Sequence, residues 1–369
     1  GWTVVGAKPR VLQVEETRKV LQQFETLATS LNIPAPLMRQ NLAAFQWVIH
    51  AVNTPQSSPL TLAGYGLQKQ AGVTEARIDY PLQTLASLPM TRVSYSEKNL
   101  NLPNDASNGI LVLQRQFLTH PAFVKQIEDL IRKGWLVIQD MDDDPHHWRE
   151  FVESDFYAYR SVHAVTVSTE PLAAMMRAWN PEVQVFANAI WQLPQVTAAA
   201  PKQQGVIRLF FGALNRAADW RDLMPAFVQA IRQSALRIHC VVVHDRAFYE
   251  ALPADISKEC HPTLSHPHYL DMLGTCDLAL LPLNDTRFNR MKSDLKFIEC
   301  CAAGVVPVCS RIVYGEQAEH LDIGFFADTP EEWEHALIQA TADVPQLAAR
   351  RERGLHYCLL YTSPSPRDQ

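Results

Sequence analysis

From residue 60 onward, short apolar segments alternate with segments of helical periodicity, and this alternation constrains the fold more than any other feature of the chain. In the first half, strands are predicted at 60–64, 92–95, 109–113, 135–139, 164–167 and 183–186. Helices are predicted between them, at 76–87, 119–132, 146–160 and 169–178. Alternation at this spacing is typical of βαβ units, which form parallel sheets with right-handed crossovers.

A second series of the same kind follows a break in the pattern. Residues 192–205 contain two prolines and three consecutive alanines, which indicates a linker between domains. Beyond it, strands are predicted at 207–211, 238–243, near 260, 278–282 and 305–309, and helices at 220–232, 246–252, 267–275, 292–303 and 330–341. The sequence therefore predicts an α/β protein with two Rossmann-like, doubly wound parallel-sheet domains. Sheets of this kind bind ligands at the carboxyl ends of their strands.

The two ends of the chain do not fit the α/β pattern. Residues 1–58 contain helical spacing at 11–53 and are interpreted as a helical lead-in or as the tail of a truncated upstream domain. We assign 59–191 to the N-terminal domain, 192–205 to the linker and 206–357 to the C-terminal domain. Residues 358–369 read CLLYTSPSPRDQ, which resembles a translated sequencing adapter, so they are left out of the fold prediction.

Composition excludes several classes of function. A formal net charge of -6 over 369 residues gives no electrostatic case for a nucleic-acid partner. No apolar run approaches the roughly 20 residues of a membrane span, although peripheral membrane association stays open. The seven cysteines include no CxxC pair, which favours free thiols in a reducing cytoplasm over disulfides or zinc.

The segment 292–308, KSDLKFIECCAAGVVPV, carries the strongest chemical signal. At 3.6 residues per turn, Lys292, Lys296 and Glu299 fall on one stripe of a helix that Gly304 ends. Lysines neutralise phosphate oxygens, and a glutamate accepts hydrogen bonds from vicinal hydroxyls. This stripe suits a diphosphate joined to a ribose, while a surface helix with solvated charges is the alternative.

The same segment resembles the donor site of retaining, nucleotide-sugar-dependent glycosyltransferases of family 4, which have two Rossmann-like domains in the GT-B architecture. The matching residues are Lys296, Glu299, Ala302, Ala303, Gly304, Pro307 and Val308. The resemblance runs from about residue 60 to about residue 328. It implies a cytoplasmic enzyme of bacterial surface polysaccharide synthesis that moves a sugar from a nucleotide diphosphate sugar to a glycan or lipid-linked acceptor. It implies catalytic roles for Glu299, Lys292 and Lys296, and no cofactor besides the sugar donor.

Further donor contacts are expected at the ends of strands and at the start of the Lys/Glu helix. These residues are Gly212, Asn215, Arg216, His244, Asp245, Arg246, Asn289, Ser293 and Asp294. The chain departs from the family pattern at Ala213, where an arginine usually follows the glycine, and at Met291, where many members carry a second glutamate. The alternatives are a plain β-turn at Gly212 and a helix cap at Asp245.

In the N-terminal domain, the resemblance places acceptor or cleft residues at Asp142, Asp143, Thr169 and Asn188. The pair Asp140-x-Asp142 also fits the metal-binding DxD of single-domain glycosyltransferases, because carboxylates are hard oxygen ligands. We predict no metal, since the GT-B relatives carry an acidic cluster here as well. A helix cap at Thr169 and a turn at Asn188 are the structural alternatives.

Two other functions are compatible with the same residues. A nucleotide-sugar epimerase of this fold would convert the donor without an acceptor. A degenerate scaffold would bind the nucleotide sugar without transfer, and Met291 together with the altered glycine turn leaves this alternative open.

Overall fold

Each half of the chain forms its own parallel sheet of six strands. The computed structural model describes residues 60–66, 72–88, 91–103, 109–190, 205–342 and 344–362. The described residues fall into two units, one extending to Ala187 and the other beginning at Asn188. The predicted helices within 11–53 and nearly all of the predicted linker lie outside the described residues.

The first unit contains strands β1 to β6, all parallel. They are β1 Leu60–Gly66, β2 Thr91–Glu97, β3 Gly109–Gln114, β4 Leu136–Met141, β5 Ala164–Val167 and β6 Val183–Val185. The helices are α1 Tyr80–Ala86, α2 Pro121–Arg132, α3 Arg149–Glu153, α4 Tyr157–Arg160 and α5 Glu170–Met176. The strand order is β2-β1-β3-β4-β5-β6, so the direction of winding reverses between β1 and β3.

The second unit contains strands β7 to β12, also parallel. They are β7 Val206–Gly212, β8 Arg237–Val243, β9 Ser257–His261, β10 Leu278–Leu281, β11 Val306–Cys309 and β12 Phe325–Phe326. The helices are α6 Ala217–Trp220, α7 Met224–Gln233, α8 Arg246–Ala251, α9 His266–Gly274, α10 Arg287–Arg290, α11 Leu295–Ala302, α12 Arg311–Ala318, α13 Pro330–Ala342 and α14 Val344–Thr362.

The order of the second sheet is β12-β11-β10-β7-β8-β9, which places β7 and β10 side by side at the point where the winding reverses. Loops after two such strands turn to opposite faces of the sheet, and the crevice between them is the usual ligand site of this fold. The loops after β7 and β10 are therefore where a ligand site is expected in this unit.

The predicted fold class is confirmed, and the differences are local. The single helix predicted at 146–160 is interrupted, because Asp155 and Phe156 adopt left-handed backbone conformations with φ of 49° and 53°. The helix predicted at 292–303 begins only at Leu295. The helix Val344–Thr362 continues past the predicted boundary at residue 357, and Cys358 is buried with its thiol donating to the carbonyl of Ile298 at 3.1 Å.

Within the described ranges, no helix combines the length and the apolarity that a membrane crossing requires.

Candidate functional site

The carboxyl end of β7 holds the first element of the site. A Cβ on Gly212 would lie 2.7 Å from the ring of Phe210 and 2.8 Å from the ring of Tyr269, so no side chain fits there. The carbonyl oxygen of Gly212 accepts a hydrogen bond from Nζ of Lys296, which reaches it from α11. The predicted glycine turn and the predicted Lys/Glu helix are therefore in contact, although Gly212 and Lys296 are 84 residues apart in sequence.

Lys296 lies among other charges. Burial lowers the pKa of Lys296, the carboxylate of Glu299 opposes that shift, and the positive charges of Arg216 and Lys292 lower the pKa further. Cζ of Arg216 and Nζ of Lys292 lie 6.0 Å and 4.4 Å from the centroid of the same ring, that of Phe288, so these two cations are close together. Three positive groups that lie close together favour a bound anion, and the carboxylates of Asp219 and Glu299 offset part of their charge.

Arg216 follows β7 and is held on one side by two buried polar residues. Its Nη1 donates to Oδ1 of Asn289 at 2.8 Å and to Oδ2 of Asp219 at 3.2 Å. Asn289 in turn donates through Nδ2 to Oδ1 of Asp219 at 2.8 Å and to the carbonyl of Asn284 at 3.0 Å. This network joins the loop after β7 to the loop after β10.

Asp219 belongs to the site although the sequence did not single it out. The only signal in the sequence was its position in the segment after the glycine turn. The amide group of Asn289 is engaged within the protein, so the geometry favours an indirect contribution of Asn289 through Arg216, and direct donor contact stays a prediction.

Lys292 lies outside the helix on which the stripe of charges was predicted. Since α11 begins at Leu295, with Asp294 as its N-cap residue, Lys292 belongs to the preceding loop. Its Nζ lies 4.4 Å from the centroid of the Phe288 ring, a cation–π distance. The predicted helical register of Lys292 was therefore wrong, while its charge still acts on Lys296.

Glu299 is buried and forms an ion-pair contact that the sequence did not predict. Its Oε1 lies 2.7 Å from Nε2 of His266, the first residue of α9. In the part of the chain that the structure describes, Oε2 of Glu299 has no hydrogen-bond partner. The position of His266, just after the loop that leaves β9, was the signal that could have identified it.

The loop before α11 brings together three of the predicted residues. Nδ2 of Asn188 donates to Oγ of Ser293 at 2.8 Å. Asp294 makes no capping bond with its side chain, and burial raises the pKa of its carboxyl group. Asn188 was predicted to line a cleft beside the acceptor, and within this unit it contacts the loop that precedes α11.

The residues after β8 serve the local structure. Asp245 caps α8 by accepting from the amide of Phe248 at 2.9 Å, and it also accepts from Nε1 of Trp220 at 3.0 Å. Nδ1 of His244, whose φ is 73°, contacts the hydroxyl of Thr263. The helix cap foreseen as the alternative at Asp245 is thus present, and ligand contact there stays a prediction.

Two further residues that were predicted to contact the donor are exposed, Asn215 after β7 and Arg246 after β8. Asn215 has a φ of 53° in the turn after β7, a left-handed conformation that asparagine tolerates better than most residues. Arg246 pairs with Glu250 at 2.7 Å, one helical turn away. Neither lies in the hydrogen-bond network of Arg216, and their donor contacts stay predictions.

In the first unit, the acidic residues after β4 are paired with arginines. Asp140 is buried, with Oδ2 at 2.6 Å from Nη2 of Arg77. Arg115 donates to Asp142 at 2.7 Å and to Asp143 at 2.9 Å. Burial raises the pKa of Asp142, and the charge of Arg115 opposes the shift.

This pairing bears on the metal alternative. Since protein cations already neutralise the carboxylates of Asp140 and Asp142, the residues that would form the DxD are engaged elsewhere. In the described ranges, no group of three or more His, Cys, Asp or Glu side chains is arranged to hold a metal ion.

Thr169 is the helix cap that was given as its structural alternative: its side chain caps α5 by accepting a hydrogen bond from the amide of Leu172 at 3.4 Å. Its contact with the sugar acceptor stays a prediction.

Comparison with known proteins identifies the fold. No protein-family model matches the sequence, and a search of curated proteins finds no match. Among solved structures, WaaG, a glycosyltransferase involved in lipopolysaccharide biosynthesis, matches with a TM-score of 0.55 and 13% identity over 83% of this chain and 96% of that one. HepE from Anabaena, solved with UDP-glucose, matches with a TM-score of 0.54 and 13% identity over 81% of this chain and 94% of that one.

An alpha-glucosyltransferase solved with UDP and a 13-mer DNA also matches, with a TM-score of 0.55 and 10% identity over 82% of this chain and 95% of that one. The chain has the GT-B fold. Identities of this size establish the fold alone and assign no role to any residue of this chain.

Proposed function

We propose that this GT-B protein is a glycosyltransferase that moves a sugar from a nucleoside diphosphate sugar to a glycan or lipid-linked acceptor. The observation that carries the proposal is that Lys296 bonds the carbonyl of Gly212 at the end of β7, while Arg216 and Lys292 both lie against the Phe288 ring in the segment after β10. Sheets of this fold bind ligands at these strand ends. A diphosphate is the anion whose size and charge suit three cations.

The site provides hydrogen-bond donors as well as charge. Lys296 carries three N–H donors, and in the described part of the chain one of them is used, on the carbonyl of Gly212. Cleavage of the bond between sugar and phosphate leaves an additional negative charge on the diphosphate. Fixed cations beside that oxygen stabilise the transition state more than the ground state, which is how they would accelerate transfer.

Glu299 is proposed to bind the ribose of the donor. Its buried carboxylate is fixed through Oε1 by His266, which leaves Oε2 to accept from a ribose hydroxyl.

The finer assignment follows the sequence resemblance to family 4. It comprises retention at the anomeric carbon, a cytoplasmic enzyme of bacterial surface polysaccharide synthesis, and an acceptor held near Asp142 and Asp143. The similarity in fold to WaaG agrees with a role in such synthesis. We further propose that transfer needs no metal, because three cations can carry the charge that a divalent ion carries in DxD enzymes.

A binding screen tests the proposal. Thermal shift against a panel of nucleotide sugars should identify one donor, and mass spectrometry should then detect its nucleoside diphosphate and a glycosylated acceptor. A change of the sugar in the absence of an acceptor would instead favour an epimerase, and binding without any product would favour a scaffold. Failure to bind any nucleotide sugar or nucleoside diphosphate would refute the proposed function.

A further inference from the structure

Arg216 differs from the other cations of the site in the way it is held. Both hydrogen bonds of its guanidinium to the protein come from Nη1, to Asn289 and to Asp219. In the part of the chain that the structure describes, Nε and Nη2 donate to no protein group. Arginine offers its donors in a fixed planar fork, so anchoring one end fixes the direction of the other.

The anchor itself is rigid. Asp219 is 6% exposed and Asn289 is 3% exposed. Oδ1 of Asp219 accepts from the backbone amide of Asn284 at 2.9 Å and from Nδ2 of Asn289 at 2.8 Å. One carboxylate oxygen is therefore fixed by neutral donors, and the other is left for the guanidinium.

Asp219 has two opposing effects on anion binding at this site. A carboxylate beside an anion site opposes anion binding through its charge, and Asp219 reduces the positive charge that Arg216 presents. A buried aspartate at this place is useful to the site only if fixing the direction of Arg216 outweighs that electrostatic loss.

We propose that Asp219, with Asn289, is a positioning residue that directs the unbound edge of Arg216 at the diphosphate of the donor. This inference rests on the proposed function and extends it to the position where the family pattern has its arginine. This chain has Ala213 at that position, and Arg216, three residues later, takes the place of the missing arginine. Asp219 and Asn289 then hold the guanidinium of Arg216 in the direction of the diphosphate.

The test compares UDP with UMP, since the two ligands differ by the β-phosphate, which is the part of the diphosphate that we assign to Arg216. Calorimetry is carried out on the unmodified protein and on Asp219→Asn. In this variant an amide N–H would face the guanidinium and release it. We expect UDP affinity to fall about 10-fold, the loss typical of a charge-assisted hydrogen bond. UMP affinity should change less than about twofold, because no contact to the remaining phosphate is altered.

Double mutants separate positioning from a general structural effect. In an Arg216→Met background, Asp219→Asn should change UDP affinity by less than about twofold, because two residues that act through one contact are not additive. Asn289→Ala removes the second anchor and should reproduce the selective loss of UDP affinity, so the test does not depend on one variant folding well.

Asp277→Asn serves as the matched control. Asp277 is also buried and accepts from a backbone amide, that of Arg208 at 2.9 Å, but it precedes β10 and lies at the opposite end of the strand. This control should lower the melting temperature and leave the ratio of UDP to UMP affinity unchanged.

Other results would overturn either the inference or the proposed function. Tighter UDP binding by Asp219→Asn would show that Asp219 acts only through its charge and would overturn the inference. An equal loss for UDP and UMP, or an equal loss with and without Arg216, would overturn it as well. If the unmodified protein binds no nucleoside diphosphate of any base, the proposed function itself fails. Should another base be preferred, the diphosphate and monophosphate of that base replace UDP and UMP.

Discussion

Replacing Lys296 by methionine tests the site most directly. Methionine keeps most of the length and apolar volume of the lysine stem but removes its charge. We expect donor binding to weaken strongly while the ligand-free protein loses little stability. The two effects differ because the charge of Lys296 serves the ligand, whereas in the free protein it lies beside Arg216 and Lys292 and is disfavoured by burial.

The magnitude can be estimated from the contacts. Loss of a charge-assisted hydrogen bond to a phosphate costs about 1.5–3 kcal/mol, which is roughly 10- to 150-fold in affinity. In the free protein, the variant loses the hydrogen bond to the carbonyl of Gly212, worth about 1 kcal/mol. Relief of repulsion and of charge burial offsets that loss, so the melting temperature should change by no more than about 3 °C.

The dependence on pH follows from the direction of the pKa shift. Because the pKa of Lys296 is lowered from 10.5, the folded protein binds this proton more weakly than the unfolded chain does. The resulting loss of stability is complete below the lowered pKa and disappears as the pH rises toward 10.5. A bound diphosphate stabilises the charged form, so donor affinity should decline as the pH rises through the lowered pKa. That decline should be absent in Lys296→Met.

Calorimetric titration with the donor or its nucleoside diphosphate, repeated across alkaline pH, measures both effects. Lys258→Met is the matched control: its Nζ donates to the carbonyl of Tyr249 at 2.9 Å, at the end of α8, and the variant should lose stability without losing donor affinity. If Lys296→Met binds the donor like the unmodified protein, the three cations do not hold the diphosphate and the site has been placed wrongly.

Three further predictions concern other parts of the chain. Glu299→Gln should weaken nucleotide binding about 10-fold in calorimetry. The melting temperature of the ligand-free protein should change little, because glutamine can still accept a hydrogen bond from His266. Unchanged binding would show that Glu299 does not contact the nucleotide. Transfer should be unaffected by EDTA, and activity that vanishes in EDTA and returns with Mn²⁺ would contradict this. Asp140→Asn breaks the buried pair with Arg77, so it should mainly lower the free energy of unfolding, by about 3–5 kcal/mol in denaturant unfolding. A chain that ends at Tyr357 should have a melting temperature roughly 2–4 °C lower than a chain that ends at Cys358. The shorter chain lacks the buried thiol, which contributes about 1 kcal/mol to the free energy of unfolding. Equal melting temperatures would show that Cys358 does not contribute to stability.

The fold was predictable from the sequence because its signal is local. A strand buried on both faces reads as a short apolar run, and the helices between such strands show a period of 3.6. Each strand predicted with stated bounds begins within one residue of the observed strand. The spacing of three between Lys296 and Glu299 likewise survives in the structure, because both residues lie within one helix.

The sequence could not predict which residues meet. Arg216 and Asn289 are 73 residues apart, and His266 and Glu299 are 33 apart. The first contact depends on the order of strands in the sheet, which places the end of β7 beside the end of β10. The second depends on the packing of α9 against α11. A local pattern of polar and apolar residues contains neither the strand order nor the helix packing.

The sequence alone thus determined two parallel sheets and one helix that carries Lys296 and Glu299. The tertiary structure decided that Lys292 lies before that helix, that His266 holds Glu299, and that Asp219 anchors Arg216. The physical reason is the same in each case. Secondary structure follows from the periodicity of neighbouring residues, whereas the direction of a charged side chain follows from partners that are distant in sequence and adjacent only once the sheet has formed.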